Sequence, residues 1–146
     1  MADKLQVFID TNVFIDYIQE RPIGFNEAFA IFELSAKELI HLLVTDLSIS
    51  NMKYSTRKEI TTADFYATIK GIRELFTIVH IGENVVDKAL AIEAKDFEDA
   101  LQFFAAEQAG AECVVTRNVK DFDFSSAVEV LEPKAFLSKY FPEYFL

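Results

Sequence analysis

The sequence predicts an α/β fold of three layers, α/β/α, in which helices cover both faces of a mainly parallel sheet of about four to five strands. Two observations support this prediction. Short runs rich in β-branched residues alternate with longer amphipathic stretches, which is the pattern of β-α-β units. The 146 residues include only 4 Gly and 3 Pro and contain no linker-like segment or repeat, so we expect one domain over residues 1–146.

The first half of the chain is punctuated by residues that begin and end helices. Asp10 directly follows an apolar run and marks the end of the first strand. Asp46 or Ser48 is the expected cap of the third helix, and Thr61 with Asp64 forms a capping-box-like start for the fourth. In order, we predict a strand at 5–9, helices at 13–19 and 25–40, a strand at 42–44, and helices at 46–59 and 61–74.

The second half has the same alternation. Asp96 is the expected N-cap of a helix that Gly110 follows, and Pro133 is placed to open the last helix. In order, we predict a strand at 76–81, helices at 83–94 and 97–109, strands at 112–116 and 128–131, and a helix from 133.

The composition excludes several classes of protein. The 14 basic and 24 acidic residues give a net charge of −10, which argues against binding nucleic acid through a broad basic face. The single cysteine, Cys113, lies in an apolar run and is typical of a small buried residue in a reducing compartment. No stretch approaches the roughly 18 apolar residues of a membrane span, so we expect a soluble cytoplasmic protein without membrane contact.

Polar side chains follow several of the predicted strands. The carboxyl ends of parallel strands meet at one edge of a sheet, where ligands bind, and the start of the helix before the fourth strand lies near the same edge. Each acid has an alternative interpretation as a helix cap or a solvated turn residue. The polar residues at this edge are Asp10, Thr11, Asn12, Thr45, Asp46, Ser48, Asn51, Asp96, Asp99, Thr116, Arg117, Asn118, Asp121 and Asp123.

Carboxylates that are crowded together repel one another and must either take up protons or bind a cation. Oxygen ligands of this kind favour Mg²⁺ or Mn²⁺ over zinc, and neither His41 nor His80 has the spacing of a metal ligand. The sequence therefore predicts a divalent-cation site at the carboxyl edge of the sheet.

Three stretches of this sequence resemble the PIN-domain family, and especially its branch of VapC-type toxins. They are FIDTNVFID at 8–16, DFEDALQ at 96–102 and VVTRNVKDF at 114–122. The resemblance implies a small α/β/α domain with an acidic pocket for Mg²⁺ or Mn²⁺. It also implies endoribonuclease activity on RNA, a homodimer, and neutralisation by a small antitoxin protein.

The resemblance assigns roles to individual residues. It implies that Asp10, Asp99 and Asp121 bind the metal and carry the catalysis. We expect the pocket to be lined by Thr11, Asn12, Asp46, Asn51, Asp96, Thr116 and Asn118.

One position departs from the family pattern. The family has a Glu in the helix after the second strand, where this chain has Asn51, so one negative charge is missing. Asp46 either substitutes for it in part or caps the helix. The departure leaves open an alternative function, that of a catalytically weakened binding module.

A local basic rim is a candidate for attracting RNA in spite of the net charge. Lys53, Arg57 and Lys58 share the helix after Asn51, and Arg117 and Lys120 flank the end of the fourth strand. The alternative interpretation is a solvated helix face.

A third possible function is that of a phosphoryl-transfer receiver or haloacid-dehalogenase-like domain, because Asp10 follows a strand in those folds too. Asn12 stands where the dehalogenase pattern has a second Asp, which makes this alternative the weakest.

Overall fold

The computed structural model describes residues 4–124 and 126–144. Its five strands form one fully parallel sheet in the order β3-β2-β1-β4-β5. Val7 of the central strand pairs with Leu42 on one side and with Cys113 on the other. The strands are β1 (Leu5–Ile9), β2 (Ile40–Thr45), β3 (Thr77–Val79), β4 (Cys113–Val115) and β5 (Glu129–Leu131).

Helices cover both faces of this sheet, and three short 3₁₀ turns, at Arg73–Leu75, Val119–Phe122 and Pro142–Tyr144, complete the regular structure of the described residues. The predicted order of strands and helices is therefore confirmed. The helices are α1 (Thr11–Ile18), α2 (Phe25–Ala36), α3 (Asp46–Ser55), α4 (Thr62–Ile72), α5 (Gly82–Ile92), α6 (Phe97–Gln108) and α7 (Pro133–Tyr140).

The three layers follow from the alternation of side chains along β1. Val7 and Ile9 are fully buried on one face of the sheet, in a core shared with α1, α2 and α7. Phe8 points to the opposite face and packs with Phe103 of α6 and with Val114 of β4. Because both faces of the sheet are covered, its strands are apolar on both sides, which is typical of a parallel sheet between helices.

Two helix boundaries differ from the prediction. Helix α2 ends at Ala36 and not near residue 40, because Glu38 has a left-handed φ of 61° that reverses the chain before β2. Helix α3 ends at Ser55 and not near residue 59.

The N-caps are set by single hydrogen bonds. The cap of α3 is Thr45, whose hydroxyl accepts from the backbone N–H of Ser48 at 3.0 Å, so the prediction of Asp46 or Ser48 was wrong. The side chain of Asp96 caps α6 as predicted and accepts from the N–H of Asp99 at 3.0 Å.

The topology positions a site at one edge of the sheet. The chain passes from β1 to β2 on one side, and later places β4 on the other side of β1. In open parallel sheets the crevice at such a reversal, outside the carboxyl ends of the strands, is where ligands bind. Asp10 follows β1 and Thr116 follows β4, so both lie at this crevice. No helix within the described ranges is long and apolar enough to cross a membrane.

Candidate active site

Asp10 lies where β1 turns directly into α1. The residue is only 5% exposed. Its Oδ1 accepts a hydrogen bond from the backbone N–H of Thr11 at 2.8 Å, and its Oδ2 accepts one from Thr116 Oγ1 at 2.9 Å. Burial raises the pKa of Asp10 above its usual value, and the hydrogen bonds from Thr116 and Thr11 oppose part of that rise. The fold therefore places a carboxylate where an uncompensated negative charge is costly.

The neighbours of Asp10 come from the two sequence blocks at the ends of β1 and β4. Asn12 Nδ2 donates to Asp10 Oδ2 at 3.1 Å. The buried Thr116 hydroxyl, which donates to Asp10, accepts from the backbone N–H of Asn118 at 3.0 Å. Asn12 Oδ1 also accepts from the N–H of Arg117 at 3.4 Å. These hydrogen bonds fix the orientation of the Asp10 carboxylate.

Asp99 occupies the first turn of α6 and is partly buried. Its pKa is raised to about 7, first by burial and then by the negative charges of Asp10, Asp96, Asp121 and, least, Glu98. The sequence prediction placed Asp10, Asp99 and Asp121 at one edge, and in the structure Asp10 and Asp121 are both close enough to Asp99 to raise its pKa.

A buried polar network supports the floor of this region. Gln102 Nε2 donates to Ser48 Oγ at 2.7 Å and to Thr11 Oγ1 at 3.1 Å. Gln102 Oε1 accepts from the Thr45 hydroxyl at 2.8 Å. The network joins α1, α3 and α6, and so fixes how the helices that carry Thr11, Asn51 and Asp99 sit against each other.

The sequence analysis did not assign a role to Gln102. In the sequence, Gln102 is the only amide in the apolar run 100–106. It comes three residues after Asp99 and therefore lies on the same face of the helix. Thr45 and Ser48 were recognised at the end of a strand, but their bonds to Gln102 depend on how helices pack.

Asn51 makes a contact that the sequence analysis missed. Its Nδ2 donates to Glu98 Oε1 at 2.7 Å. Glu98 in turn adds to the negative potential that raises the pKa values of Asp10 and Asp99. A carboxylate thus lies next to the amide that stands where the family pattern has Glu, but it comes from α6 and not from α3.

Asp46 does not face Asp10. Its Oδ2 pairs with His80 Nδ1 at 3.1 Å, and its Oδ1 accepts from the backbone N–H of Ile81 at 3.3 Å. Both partners follow β3, on the side of β2 that is remote from β1. Asp46 is thus held by residues that follow β3, and the expectation that it lines the pocket or substitutes for the missing Glu stays a prediction.

A cleft of about 630 Å³ opens beside the start of α6. Asp96, Asp121 and Asp123 contribute carboxylates to its walls, and Lys95 and Lys120 contribute ammonium groups. Asp121 is exposed in the short 3₁₀ turn after β4. The cleft thus combines acidic groups with cations that are able to contact a phosphate backbone.

The predicted basic residues separate into two groups. Arg117 Nε pairs with Asp16 Oδ2 at 2.8 Å, and Asp16 is only 1% exposed, so Arg117 neutralises a buried carboxylate. Arg117 is itself exposed, and its contact with RNA stays a prediction. Lys53 is partly exposed, and Arg57 and Lys58 of the segment at the end of α3 are exposed.

The donors at this edge fit a hard divalent cation by their chemistry. They are carboxylate, amide and hydroxyl oxygens, which suit Mg²⁺ or Mn²⁺. Burial is the main cause of the raised pKa of Asp99, and the neighbouring carboxylates add to it; a cation would neutralise this negative charge. Within residues 4–124 and 126–144, no three Asp, Glu, His or Cys side chains stand close enough to enclose one metal ion, so joint binding requires side-chain rotation.

The comparison with family models identifies the family of this chain. A model of the PIN domain family matches residues 6–120, and the chain therefore belongs to the PIN-domain family. The chain is also 26% identical over 140 residues to Ribonuclease VapC1 of Aquifex aeolicus (strain VF5), which covers 92% of this chain and 95% of that protein.

Solved structures share the same fold. The DNA-bound VapBC from Salmonella typhimurium has a TM-score of 0.68 at 17% identity, covering 88% of this chain and 98% of that one. A toxin–antitoxin complex from Klebsiella pneumoniae has a TM-score of 0.64 at 21% identity, with coverage of 87% and 97%. VapC20 of Mycobacterium tuberculosis, described as a Sarcin-Ricin loop cleaving toxin, has a TM-score of 0.60 at 12% identity, with coverage of 74% and 86%. These likenesses confirm the predicted α/β/α fold.

Proposed function

We propose that this protein is a VapC-like endoribonuclease that hydrolyses RNA phosphodiester bonds with the help of Mg²⁺ or Mn²⁺. The observation that carries the proposal is the burial of Asp10 at the reversal of the sheet, close to Asp99, whose pKa is raised by the charges of Asp10, Asp96, Asp121 and Glu98. The relationship to Ribonuclease VapC1 supports the same activity. The family match favours this function over the receiver or dehalogenase-like alternative.

In this proposal Asp10, Asp99 and Asp121 would hold the cation. Such a cation, when bound, lowers the pKa of water and neutralises charge that develops on the phosphoryl oxygens. Thr116 and Asn12 keep the Asp10 carboxylate in one orientation through bonds of 2.9 and 3.1 Å. Without a cation the pKa of the Asp99 carboxyl is raised to about 7, and a bound cation would favour its ionised form.

The phosphate backbone of the substrate would run along the cleft beside α6. Lys95 and Lys120 line that cleft and are placed to contact phosphate oxygens. Asp96 caps α6 and so positions Asp99.

The partners form a separate part of the proposal. We expect a small antitoxin protein and a homodimer, in keeping with the fold shared with the VapBC and toxin–antitoxin structures. We also expect the protein to act in the cytoplasm, where its RNA substrate lies.

The alternative of a catalytically weakened binding module rested on the missing charge at Asn51. Asn51 Nδ2 donates to Glu98 Oε1 at 2.7 Å, so α6 supplies a carboxylate beside the position where the family pattern has Glu. The proposal of a nuclease is therefore preferred.

Cleavage of RNA by purified protein tests the proposal. We expect Mg²⁺- or Mn²⁺-dependent cleavage by the wild type and a loss of at least about a hundredfold in Asp10→Asn, because one carboxylate of the metal set is removed. Asp87→Asn, on the exposed face of α5, is the matched control and should cleave like the wild type. Equal cleavage by Asp10→Asn, or no cleavage by the wild type over a broad panel of RNAs, would contradict the proposal.

A further inference from the structure

A groove of about 500 Å³ lies between α3 and α4, apart from the acidic cleft. Its floor includes Phe65, which is buried, and its rims carry exposed side chains from both helices. The lining residues are Ile49, Ser50, Lys53, Tyr54, Arg57, Phe65 and Tyr66.

Exposed aromatic side chains are concentrated at this groove. Tyr54 is 67% exposed and Tyr66 is 57% exposed. The other exposed aromatic side chains of the described ranges are Phe29 and Phe97, so two of four border one groove. Single exposed apolar side chains are ordinary, whereas exposed rings that are grouped along one groove are typical of a contact surface.

The charge of the groove is opposite to that of the whole chain. Its charged lining residues are Lys53 and Arg57, and no carboxylate lines it, although the chain has 24 acidic and 14 basic residues. The Arg57 guanidinium carbon lies 3.9 Å from the centre of the Tyr54 ring, and Lys53 Nζ lies 5.9 Å from that of Phe65. Cations interleaved with aromatic rings are the components of surfaces that bind single-stranded nucleic acid.

The groove lies along the same helix as part of the proposed active site. Asn51, which bonds to Glu98, lies one turn before Tyr54 in α3, a rise of about 4.5 Å along the helix axis. A polynucleotide held at the acidic edge would therefore need only a short extension to reach the groove.

We propose that the groove between α3 and α4 binds unpaired bases of the RNA substrate, with Tyr54 and Tyr66 as stacking surfaces and Lys53 and Arg57 as phosphate contacts. The inference rests on the proposed nuclease function and adds that the substrate is single-stranded at this point. Bases inside a duplex present no free ring face, so a paired RNA of equal length should bind more weakly.

The test is the affinity for a fluorescein-labelled oligouridine, measured by fluorescence anisotropy in EDTA so that cleavage does not interfere. The double variant Tyr54→Ala with Tyr66→Ala should bind at least about thirtyfold more weakly, because two stacked bases lose their partner rings. Tyr54→Phe with Tyr66→Phe keeps both ring faces and should retain the affinity. Circular dichroism and thermal unfolding of each variant check that it is folded.

The salt dependence of the same affinity tests the cations separately. Lys53→Gln and Arg57→Gln should each reduce the slope of log affinity against log salt by about 0.7, the value for one phosphate contact on a single strand. Lys88→Gln, on the exposed face of α5, removes an equal charge elsewhere and should leave the slope unchanged. The double tyrosine variants should also leave this slope unchanged, because they remove no charge.

Three results would overturn the inference. The first is that the wild type cleaves RNA but the double Tyr→Ala variant binds RNA as tightly as the wild type. In that case the groove does not contact the substrate, and the nuclease proposal is unaffected. A change of sedimentation coefficient without a change of RNA affinity assigns the groove to contact between two copies of the chain. A wild type that neither binds nor cleaves RNA contradicts the nuclease proposal together with the inference.

Discussion

At the scale of single residues, the contact between Asn51 and Glu98 compensates in part for the Glu of the family pattern that α3 lacks. The amide of Asn51 donates to Glu98 Oε1 at 2.7 Å, so it stabilises a carboxylate that another helix supplies. An acid introduced at position 51 would therefore meet an existing acid and would add repulsion as well as charge.

This geometry leads to a prediction about Asn51→Asp. In metal-free buffer the variant should lower the free energy of unfolding by about 1 kcal/mol, because a hydrogen bond to a charged group is replaced by repulsion between like charges. Urea unfolding measures the loss. The added charge also binds cations, so excess Mg²⁺ should recover part of the lost stability.

The control for this prediction is a double variant. Asn51→Asp combined with Glu98→Gln exchanges the donor and the acceptor, and should recover most of the loss if the two side chains interact directly. Additive effects of the two substitutions would show that the contact does not contribute to the free energy of unfolding.

At the scale of secondary-structure elements, the connection from α1 to α2 is fixed by a buried charge. Asp16 of α1 is 1% exposed and pairs with Arg117 at 2.8 Å and with Arg21 at 3.6 Å. Burial raises the pKa of Asp16, and the two arginines oppose that rise. Gly24, which begins α2 with φ at 104°, passes so close that an added Cβ would lie 2.3 Å from Asp16 Oδ2.

We therefore predict that Gly24→Ala lowers the free energy of unfolding by about 2 kcal/mol or more. Strain at positive φ accounts for roughly 1 kcal/mol, and overpacking against the fixed carboxylate adds to it. Gly110→Ala is a matched control, because Gly110 also has positive φ but nothing lies within 4 Å of its added Cβ. Equal losses in the two variants, measured by urea unfolding, would mean that the contact with Asp16 is unimportant.

The elements also show what the sequence was able to predict. The order of strands and helices and the caps at Asp96 and Thr61 follow from local patterns, and the structure confirms them. Local patterns also placed Asp10 and Thr116 at the same edge of the sheet.

The remaining contacts of the site depend on packing between distant segments. Asn51 and Glu98 are 47 residues apart, and Asp46 and His80 are 34 residues apart. Which side of a helix faces which neighbour is set by the whole core, so neither pair has a signature in the local sequence. For the same reason, the local sequence does not predict that Arg117 forms an ion pair with the buried Asp16.

At the scale of the whole molecule, the net charge of −10 has an uneven distribution. Four acids, Asp10, Asp96, Asp121 and Glu98, raise the pKa of Asp99 at the carboxyl edge of the sheet, and Asp96 and Glu98 also raise that of Asp10. Concentrated charge of this kind opposes folding unless protons or cations neutralise it. Burial, followed by the repulsion from these neighbouring acids, raises the pKa of Asp99 to about 7 from an ordinary value of 3.8.

The last prediction concerns the response of the whole fold to pH and to metal. Between its unfolded pKa of 3.8 and its folded pKa of about 7, Asp99 keeps a proton in the folded state that the unfolded chain releases, so its contribution to stability falls as the pH rises through this window. In EDTA, unfolding midpoints should therefore decrease more steeply with pH in the wild type than in Asp99→Asn. Mg²⁺ should stabilise the wild type more above pH 7 than below it, because the ionised carboxylate is the form that binds a cation. Parallel pH profiles for the two proteins, with no greater effect of Mg²⁺ at high pH, would mean that this carboxylate neither carries the excess charge nor binds the cation.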